Sequence, residues 1–172
     1  MEESFRTEEL LFRIKKIGLN LAALMELNLK NESITGVQVY FLVYILRHHP
    51  QGTYLTELCR EIGVSKPTLS ALIKKMREKG YLYFLADPDD VRKKKVLPTA
   101  KLIAEGDKFM EKADQMESEI CSALDRKEQT QLWDLEQKLI NQLARMEHDE
   151  NNEKTDRRFI YSEKSITTTG KV

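Results

Sequence analysis

The sequence is poor in the residues that mark several specialised classes of protein. Its 172 residues include 2 cysteines, 7 glycines and 4 prolines. Two cysteines, Cys59 and Cys121, are too few to build a disulfide framework or a four-ligand zinc site on their own. So few glycines and prolines exclude a collagen-like or low-complexity chain. What remains is the composition of a helix-rich globular protein, long enough to bury a hydrophobic core.

Long hydrophobic runs and catalytic signatures are missing as well. No stretch of about 18 consecutive apolar residues is available for a membrane-spanning helix, so no membrane partner is expected. The acidic N-terminal segment MEESFRTEEL lacks the basic and apolar regions of a secretory signal, and we therefore expect a cytoplasmic protein. The motifs G-x-S-x-G, G-x-G-x-x-G and H-E-x-x-H and the P-loop are absent, so the sequence predicts neither an enzyme nor a cofactor.

An excess of charge of one sign is also absent. The chain has 28 Lys and Arg against 28 Asp and Glu, whereas proteins that bind nucleic acids usually carry a surplus of positive charge. The charges are distributed unevenly, however. Residues 66–95 contain nine Lys or Arg and four Asp or Glu, which makes this segment +5 and the rest of the chain −5. The neutral total therefore hides one basic segment.

The spacing of apolar residues predicts a mainly α-helical fold with one small β-hairpin. The predicted helices cover residues 8–30, 36–48, two short segments within 55–80, 100–123 and 125–146, and the hairpin strands cover 81–86 and 95–98. Asp125 and Glu128 are spaced as a capping box at the start of the last helix. Residues 148–172 contain too little apolar surface to offset the entropy of ordering them, and we expect a disordered tail there.

The segment LTELCREIGVSKPTLSALIKKMREKGYL, residues 55–82, is the most informative part of the chain. Thr56 is expected to cap its first short helix, and Gly63 is placed where that helix would end in a left-handed residue. Ser65 is an N-cap for the second helix, whose first turn tolerates Pro67. The second helix has an apolar stripe, and its opposite face is small and polar at the N-terminal end and basic further along. These features are typical of a helix-turn-helix whose second helix contacts DNA bases.

The hairpin that follows has the geometry of a wing with a basic tip. Its loop, DPDDVRKK, combines turn-forming residues with a cluster of cations. An arginine on a narrow protrusion suits the minor groove, whose negative potential attracts it. The residues predicted to bind DNA are Ser65, Lys66, Pro67, Thr68, Ser70, Ala71, Lys74 and Lys75 on the second helix and Arg92, Lys93 and Lys94 on the wing.

These two motifs together resemble the MarR family of winged helix-turn-helix transcriptional regulators. The wing segment DPDDVRKKKVLPTAKLIAEGDKF is similar to the family's D-x-R pair followed by V-x-L-T-x-x-G, with Asp90 and Arg92 as the pair. Pro98 stands where the family usually has Leu, and Gly106 shifts the usual threonine-to-glycine spacing. The resemblance extends over residues 8–147. It implies that Arg92 reaches the minor groove and that Asp90 helps to fix the wing.

The resemblance also implies an assembly and a mode of regulation. Residues 1–35 and 100–147 would form the dimerisation region of a homodimer, and residues 36–99 the DNA-binding domain. Two recognition helices roughly 34 Å apart would then contact a pseudo-palindromic operator. The expected function is that of a repressor released by a small, often aromatic effector. Tyr40, Tyr44 and His48, spaced i, i+4 and i+8, are candidates to line the effector cleft and fit equally well as ordinary core or interface residues.

Some features have simpler explanations that stay open. A winged helix also serves as a protein-interaction adaptor without specific DNA binding, and a run of lysines is commonly just a solvated helix face. Cys59 fits the crossing of two helices as a small apolar side chain better than it fits a redox switch. His48 and His49 are adjacent and have no i, i+4 histidine partner, so no metal site is expected.

Overall fold

Six helices and three short strands make up the part of the chain that the structure describes. The computed structural model describes residues 6–166, with side chains as far as residue 150. The elements are α1 (Thr7–Leu29), α2 (Gly36–His48), β1 (Thr53–Tyr54), α3 (Leu55–Ile62), α4 (Lys66–Glu78), β2 (Leu82–Ala86), β3 (Lys94–Pro98), α5 (Ala100–Cys121) and α6 (Arg126–Ile166). The predicted fold class is confirmed, and β1 is the element that the sequence pattern did not predict.

The described chain divides into two compact units, of which the first ends at Ile120 and the second begins at Cys121. No helix among residues 6–166 is long and apolar enough to cross a membrane. Residues 1–5 of the predicted dimerisation region and residues 167–172 of the predicted tail lie outside the described residues.

The three strands form one antiparallel sheet with β3 in the centre, in the order β1-β3-β2. The hairpin pairs Leu82 with Pro98 and Ala86 with Lys94, and β1 pairs only with Lys95 and Val96 of β3. Pro98 therefore lies at a strand end that has a partner on one side alone. A proline, which has no N–H to donate, is tolerated at such a position.

The core of the first unit is built around α2. Its buried side chains face apolar residues from the helix-turn-helix, the sheet and α5, and each of the following is at most 2% exposed: Val39, Leu42, Val43, Ile45, Leu58, Leu69, Ile73, Met76, Tyr81, Leu82, Val96 and Leu102. Burial of a Leu, Ile or Met side chain stabilises a fold by about 1.5–3 kcal/mol. The helices that carry the candidate site are therefore fixed to α2 by their apolar faces.

The start of α3 differs from the prediction. Thr56 does not cap this helix; Tyr54 occupies the N-cap position in an extended conformation and provides no side-chain capping bond. The reason is that β1 runs directly into α3, so the helix begins before Thr56 is reached. The first turn is instead linked to β1 by the Thr53 hydroxyl, which donates to Glu57 Oε2 over 2.8 Å.

The C-terminal helix is longer than predicted. Its capping box is confirmed, since Glu128 N donates to Asp125 Oδ1 and Asp125 N donates to Glu128 Oε2, both over 2.9 Å. The predicted end near Met146 is wrong, because α6 continues to Ile166; the disordered tail stays a prediction. An established helix gains one backbone hydrogen bond for each added residue, and residues 148–166 contain no proline or glycine to interrupt it.

Candidate nucleic-acid interface

The N-terminus of α4 is fixed by the local signals that the sequence contains. Gly63 ends α3 with a φ of 75°, the left-handed conformation that favours glycine. The Ser65 hydroxyl accepts a hydrogen bond from Thr68 N over 3.3 Å, and Pro67 lies in the first turn. These three predictions are confirmed. They set the position and direction at which α4 leaves the turn.

The two faces of α4 have opposite environments. Leu69, Ile73 and Met76 are at most 1% exposed. Every residue of the helix-turn-helix that was predicted to bind DNA is exposed, namely Ser65, Lys66, Pro67, Thr68, Ser70, Ala71, Lys74 and Lys75. The exposed face begins with small polar side chains and continues with lysines. A recognition helix in the major groove requires this division, with base contacts near its N-terminus and phosphate contacts beside them.

The wing loop between β2 and β3 is held in shape by backbone and aspartate hydrogen bonds. Lys93 N donates to Asp90 O over 2.9 Å, and Arg92 N donates to Asp90 Oδ1 over 3.0 Å. The side chains of Arg92, Lys93 and Lys94 are exposed. Asp90 thus accepts two hydrogen bonds within the turn that carries the three cations, and its role in fixing the wing stays a prediction.

Two further contacts hold the wing, and sequence reasoning missed both. The Tyr54 hydroxyl donates to Asp87 Oδ2 over 2.7 Å. The Arg77 guanidinium lies over the Phe84 ring, 4.2 Å from its centroid. The residues of the first pair are 33 positions apart in the chain, and neither pair belongs to a periodic pattern. The contact of Tyr54 could have been predicted only if β1 had been recognised as a strand that pairs with β3, because this pairing places Tyr54 beside the hairpin.

The three candidate effector residues lie along α2 but have different partners. The Tyr40 hydroxyl donates to Glu117 Oε1 over 2.6 Å, whereas the Tyr44 hydroxyl donates to Glu61 Oε2 over 2.8 Å. The rings of Tyr44 and His48 are close, with centroids 4.5 Å apart. Burial, followed by the bond to Glu61, raises the pKa of Tyr44 to about 12. Tyr44 and His48 are thus brought together, while Tyr40 is fixed to α5.

Two surface grooves of the described chain lie elsewhere. Their volumes are about 420 and 570 Å³, and both are lined by residues of the turn between α1 and α2. The smaller one also reaches Lys75 and Lys79 of the helix-turn-helix. Neither contains a predicted effector residue, so the assignment of the effector cleft stays a prediction.

Apolar side chains are exposed along α1 and, separately, along α6. On α1 they are Leu10, Leu11, Phe12, Ile14, Ile17, Leu19 and Leu27; on α6 they are Leu132, Trp133, Leu135, Leu139, Ile140, Leu143 and Met146. Every one of them is at least 41% exposed. Isolated exposed apolar residues are ordinary, but continuous rows of them mark surfaces that bind another protein.

Comparison with known proteins gives one family and many structures of the same fold. Residues 33–93, from the turn before α2 to the wing, match the MarR family. MepR of S. aureus, in a crystal structure of its DNA complex, is 25% identical with a TM-score of 0.69, covering 81% of this chain and 99% of its own. The transcription regulator MarR from Oenococcus oeni PSU-1 is 23% identical with a TM-score of 0.67, covering 76% and 98%.

A further structure, the PcaV transcriptional regulator from Streptomyces coelicolor in complex with its natural ligand, is 16% identical with a TM-score of 0.64, covering 82% of this chain and 96% of its own. No curated protein matches the sequence significantly. The matched segment contains the complete helix-turn-helix and the wing loop with Asp90 and Arg92. Family match, fold and site geometry agree: residues 33–93 are similar to the helix-turn-helix and wing of the MarR family of transcriptional regulators, and the solved structures with the same fold include regulators of that kind.

Proposed function

We propose that this protein is a repressor that binds a pseudo-palindromic operator in double-stranded DNA as a homodimer and leaves it when a small effector binds. One observation carries the proposal. The face of α4 that is not anchored in the core is polar and basic, and it is followed by a wing whose exposed tip carries Arg92, Lys93 and Lys94. Residues 36–99 are the proposed DNA-binding domain.

The proposed contacts follow from the character of each side chain. Ser65, Pro67, Thr68, Ser70 and Ala71 are small enough for α4 to approach base edges closely. Lys66, Lys74, Lys75, Lys93 and Lys94 would neutralise phosphates. Arg92, on the narrow wing, would enter the minor groove, whose potential is most negative where it is narrow.

Dimerisation is proposed through residues 1–35 and 100–147. The exposed apolar rows of α1 and α6 support it, because water-exposed leucine, isoleucine and tryptophan side chains gain free energy when a second copy covers them. A two-fold dimer would present its recognition helices to successive major grooves, roughly 34 Å apart. MepR, whose structure is described as a DNA complex, supports DNA as the partner.

The proposed effector is small and aromatic. PcaV has been solved with its natural ligand, and the half-buried rings of Tyr40 and Tyr44 with the exposed ring of His48 offer surfaces against which an aromatic ring would stack. The effector would favour a dimer whose recognition helices no longer match both half-sites. A set of small aromatic acids and phenols, each added to the operator complex, tests this step by release of DNA.

A titration of the confirmed dimer with DNA from its own promoter region, followed by gel shift at two salt concentrations, tests the proposal. We expect a preferred site and an affinity that falls with salt, with a log–log slope of roughly −0.9 for each phosphate contact. Absence of binding at low salt would overturn the proposal and favour a winged-helix protein adaptor. Binding without a preferred site would contradict operator recognition.

A further inference from the structure

One of the contacts between the wing and the helix-turn-helix is a side-chain hydrogen bond at the base of the wing loop. Tyr54 is both the last residue of β1 and the N-cap residue of α3. Its hydroxyl donates to Asp87 Oδ2 over 2.7 Å. Asp87 is the first residue after β2, where the wing loop leaves the sheet. The bond therefore joins the first helix of the helix-turn-helix to the base of the wing loop.

Asp87 is connected to both sides of that loop. Its second carboxylate oxygen, Oδ1, accepts a hydrogen bond from Asp89 N over 2.9 Å, and its own amide donates to Lys93 O over 2.9 Å. Lys93 N in turn donates to Asp90 O. Asp87 thus connects Tyr54 by hydrogen bonds to the turn that presents Arg92.

The loop needs such a connection because the sheet does not reach it. The last paired residues of the hairpin are Ala86 and Lys94, and β1 pairs no further than Lys95. Residues 87–93 lie beyond the paired strands, and most of their side chains are exposed. A two-stranded hairpin is only marginally stable by itself, so a contact with another element helps to fix the direction of this loop.

At neutral pH the hydrogen bond between Tyr54 and Asp87 keeps its donor and its acceptor. The hydrogen bond from Tyr54, together with that from the Asp89 amide, lowers the pKa of Asp87, and the bond to Asp87 raises the pKa of Tyr54. The carboxylate therefore stays an acceptor and the phenol stays a donor over the whole physiological range.

We infer that Tyr54 is a positioning residue for the wing: through Asp87 its hydroxyl orients the loop so that Arg92 enters the minor groove beside the major groove bound by α4. This inference rests on the proposed function. If the loop samples many directions, only a fraction of molecules present Arg92 correctly, and the apparent affinity falls by that fraction.

The variant Tyr54→Phe removes one oxygen atom and keeps the ring. Tyr83→Phe is its matched control, because Tyr83 is an exposed tyrosine on β2 with no side-chain hydrogen bond among the described residues. We expect Tyr54→Phe to weaken operator binding roughly three- to tenfold, the effect of losing one hydrogen bond, while Tyr83→Phe leaves it unchanged. In footprints, minor-groove protection by the wing should fade and major-groove protection by α4 should remain.

A double-mutant cycle with Arg92→Ala separates positioning from plain loss of structure. If Tyr54 acts through Arg92, Tyr54→Phe has no further effect on affinity when Arg92 is already alanine. An equal loss in both backgrounds, or loss of the major-groove footprint as well, would overturn the inference in favour of a structural role for Tyr54.

Amide hydrogen exchange of the free protein gives a readout that needs no DNA. Faster exchange at Asp89 and Lys93 in Tyr54→Phe, but not in Tyr83→Phe, is the expected result. If the wild-type dimer binds no operator yet this difference is seen, the proposed function fails and the link to the wing stands. Unchanged exchange in Tyr54→Phe would overturn the link itself.

Discussion

The recognition helix and the wing are both basic and exposed, but they are held in place by different kinds of interaction. Leu69, Ile73 and Met76 fix α4 to the core with side chains that are at most 1% exposed. The wing loop is fixed by polar contacts, above all those of Asp87 and Asp90. Packing of apolar surface tolerates small shifts and acts over a whole helix face, whereas a hydrogen bond depends on single atoms. The comparison predicts that damage to α4 will affect the whole domain and damage to the wing will stay local.

The largest effect is expected when the anchor of α4 is removed. Ile73→Ala leaves a cavity under the helix and should lower the free energy of unfolding by about 2–5 kcal/mol. Ile62→Ala is the matched control, since Ile62 is 36% exposed at the end of α3 and lies outside the proposed dimerisation region, and its effect should stay within about 0.5 kcal/mol. Urea unfolding measures both. Equal values would mean that burial does not distinguish the two sites.

The next effect concerns DNA affinity alone. Arg92→Ala should weaken operator binding about tenfold, which is about 1.4 kcal/mol, because one minor-groove contact is lost, and it should reduce the salt slope by about 1. Arg60→Ala, an exposed arginine on α3 outside the predicted DNA contacts and the proposed dimerisation region, controls for the change in net charge. Thermal unfolding of Arg92→Ala should match that of wild type. A lowered melting temperature would instead make Arg92 a structural residue.

A smaller effect on stability is expected at the cap of α4. Ser65→Ala removes the acceptor of the Thr68 amide and should lower the free energy of unfolding by about 1 kcal/mol. Ser70→Ala, at an exposed position within the same helix, should be close to neutral. If the two serines have the same effect, the cap contributes nothing beyond helix propensity.

The smallest effect is a local change with pH. The pKa of Asp87 is lowered by the hydrogen bonds from Tyr54 and Asp89. A lowered folded-state pKa means that the stabilisation is complete above the ordinary Asp value of about 3.9 and is lost as the pH falls through the lower folded value. NMR shifts of the wing amides should titrate in that acidic range while those around Ile73 stay constant. Asp87→Asn should abolish the wing titration; its persistence would assign it to another carboxylate.

The contrast between the packed recognition helix and the hydrogen-bonded wing also explains how much of the structure the sequence predicted. Gly63, Ser65 and Pro67 act within a few residues of their own position, and the apolar stripe of α4 follows from the helix period, so the helix-turn-helix was predicted almost residue by residue. The Tyr54–Asp87 bond joins residues 33 positions apart, across a strand of two residues that is too short to give a periodic pattern.

The two ends of α6 differ in a similar way in how well the sequence predicted them. The start of α6 was predicted because Asp125 and Glu128 carry a local capping signal. Its end was not, because residues 148–166 contain no proline or glycine that would mark where the helix stops. Local signals gave the start of α6 and the turn before α4, whereas the local signal of Thr56 was overridden because β1 runs directly into α3.

The place of β3 between β1 and β2 has a consequence for protein engineering. The central strand pairs on one side with the residues that lead into α3 and on the other with the hairpin. The wing is for this reason not a separate module that can be exchanged between two regulators at the ends of the hairpin. We expect a transplanted wing to keep its direction only when the protein that receives it also has a hydroxyl that can donate a hydrogen bond at the position of Tyr54.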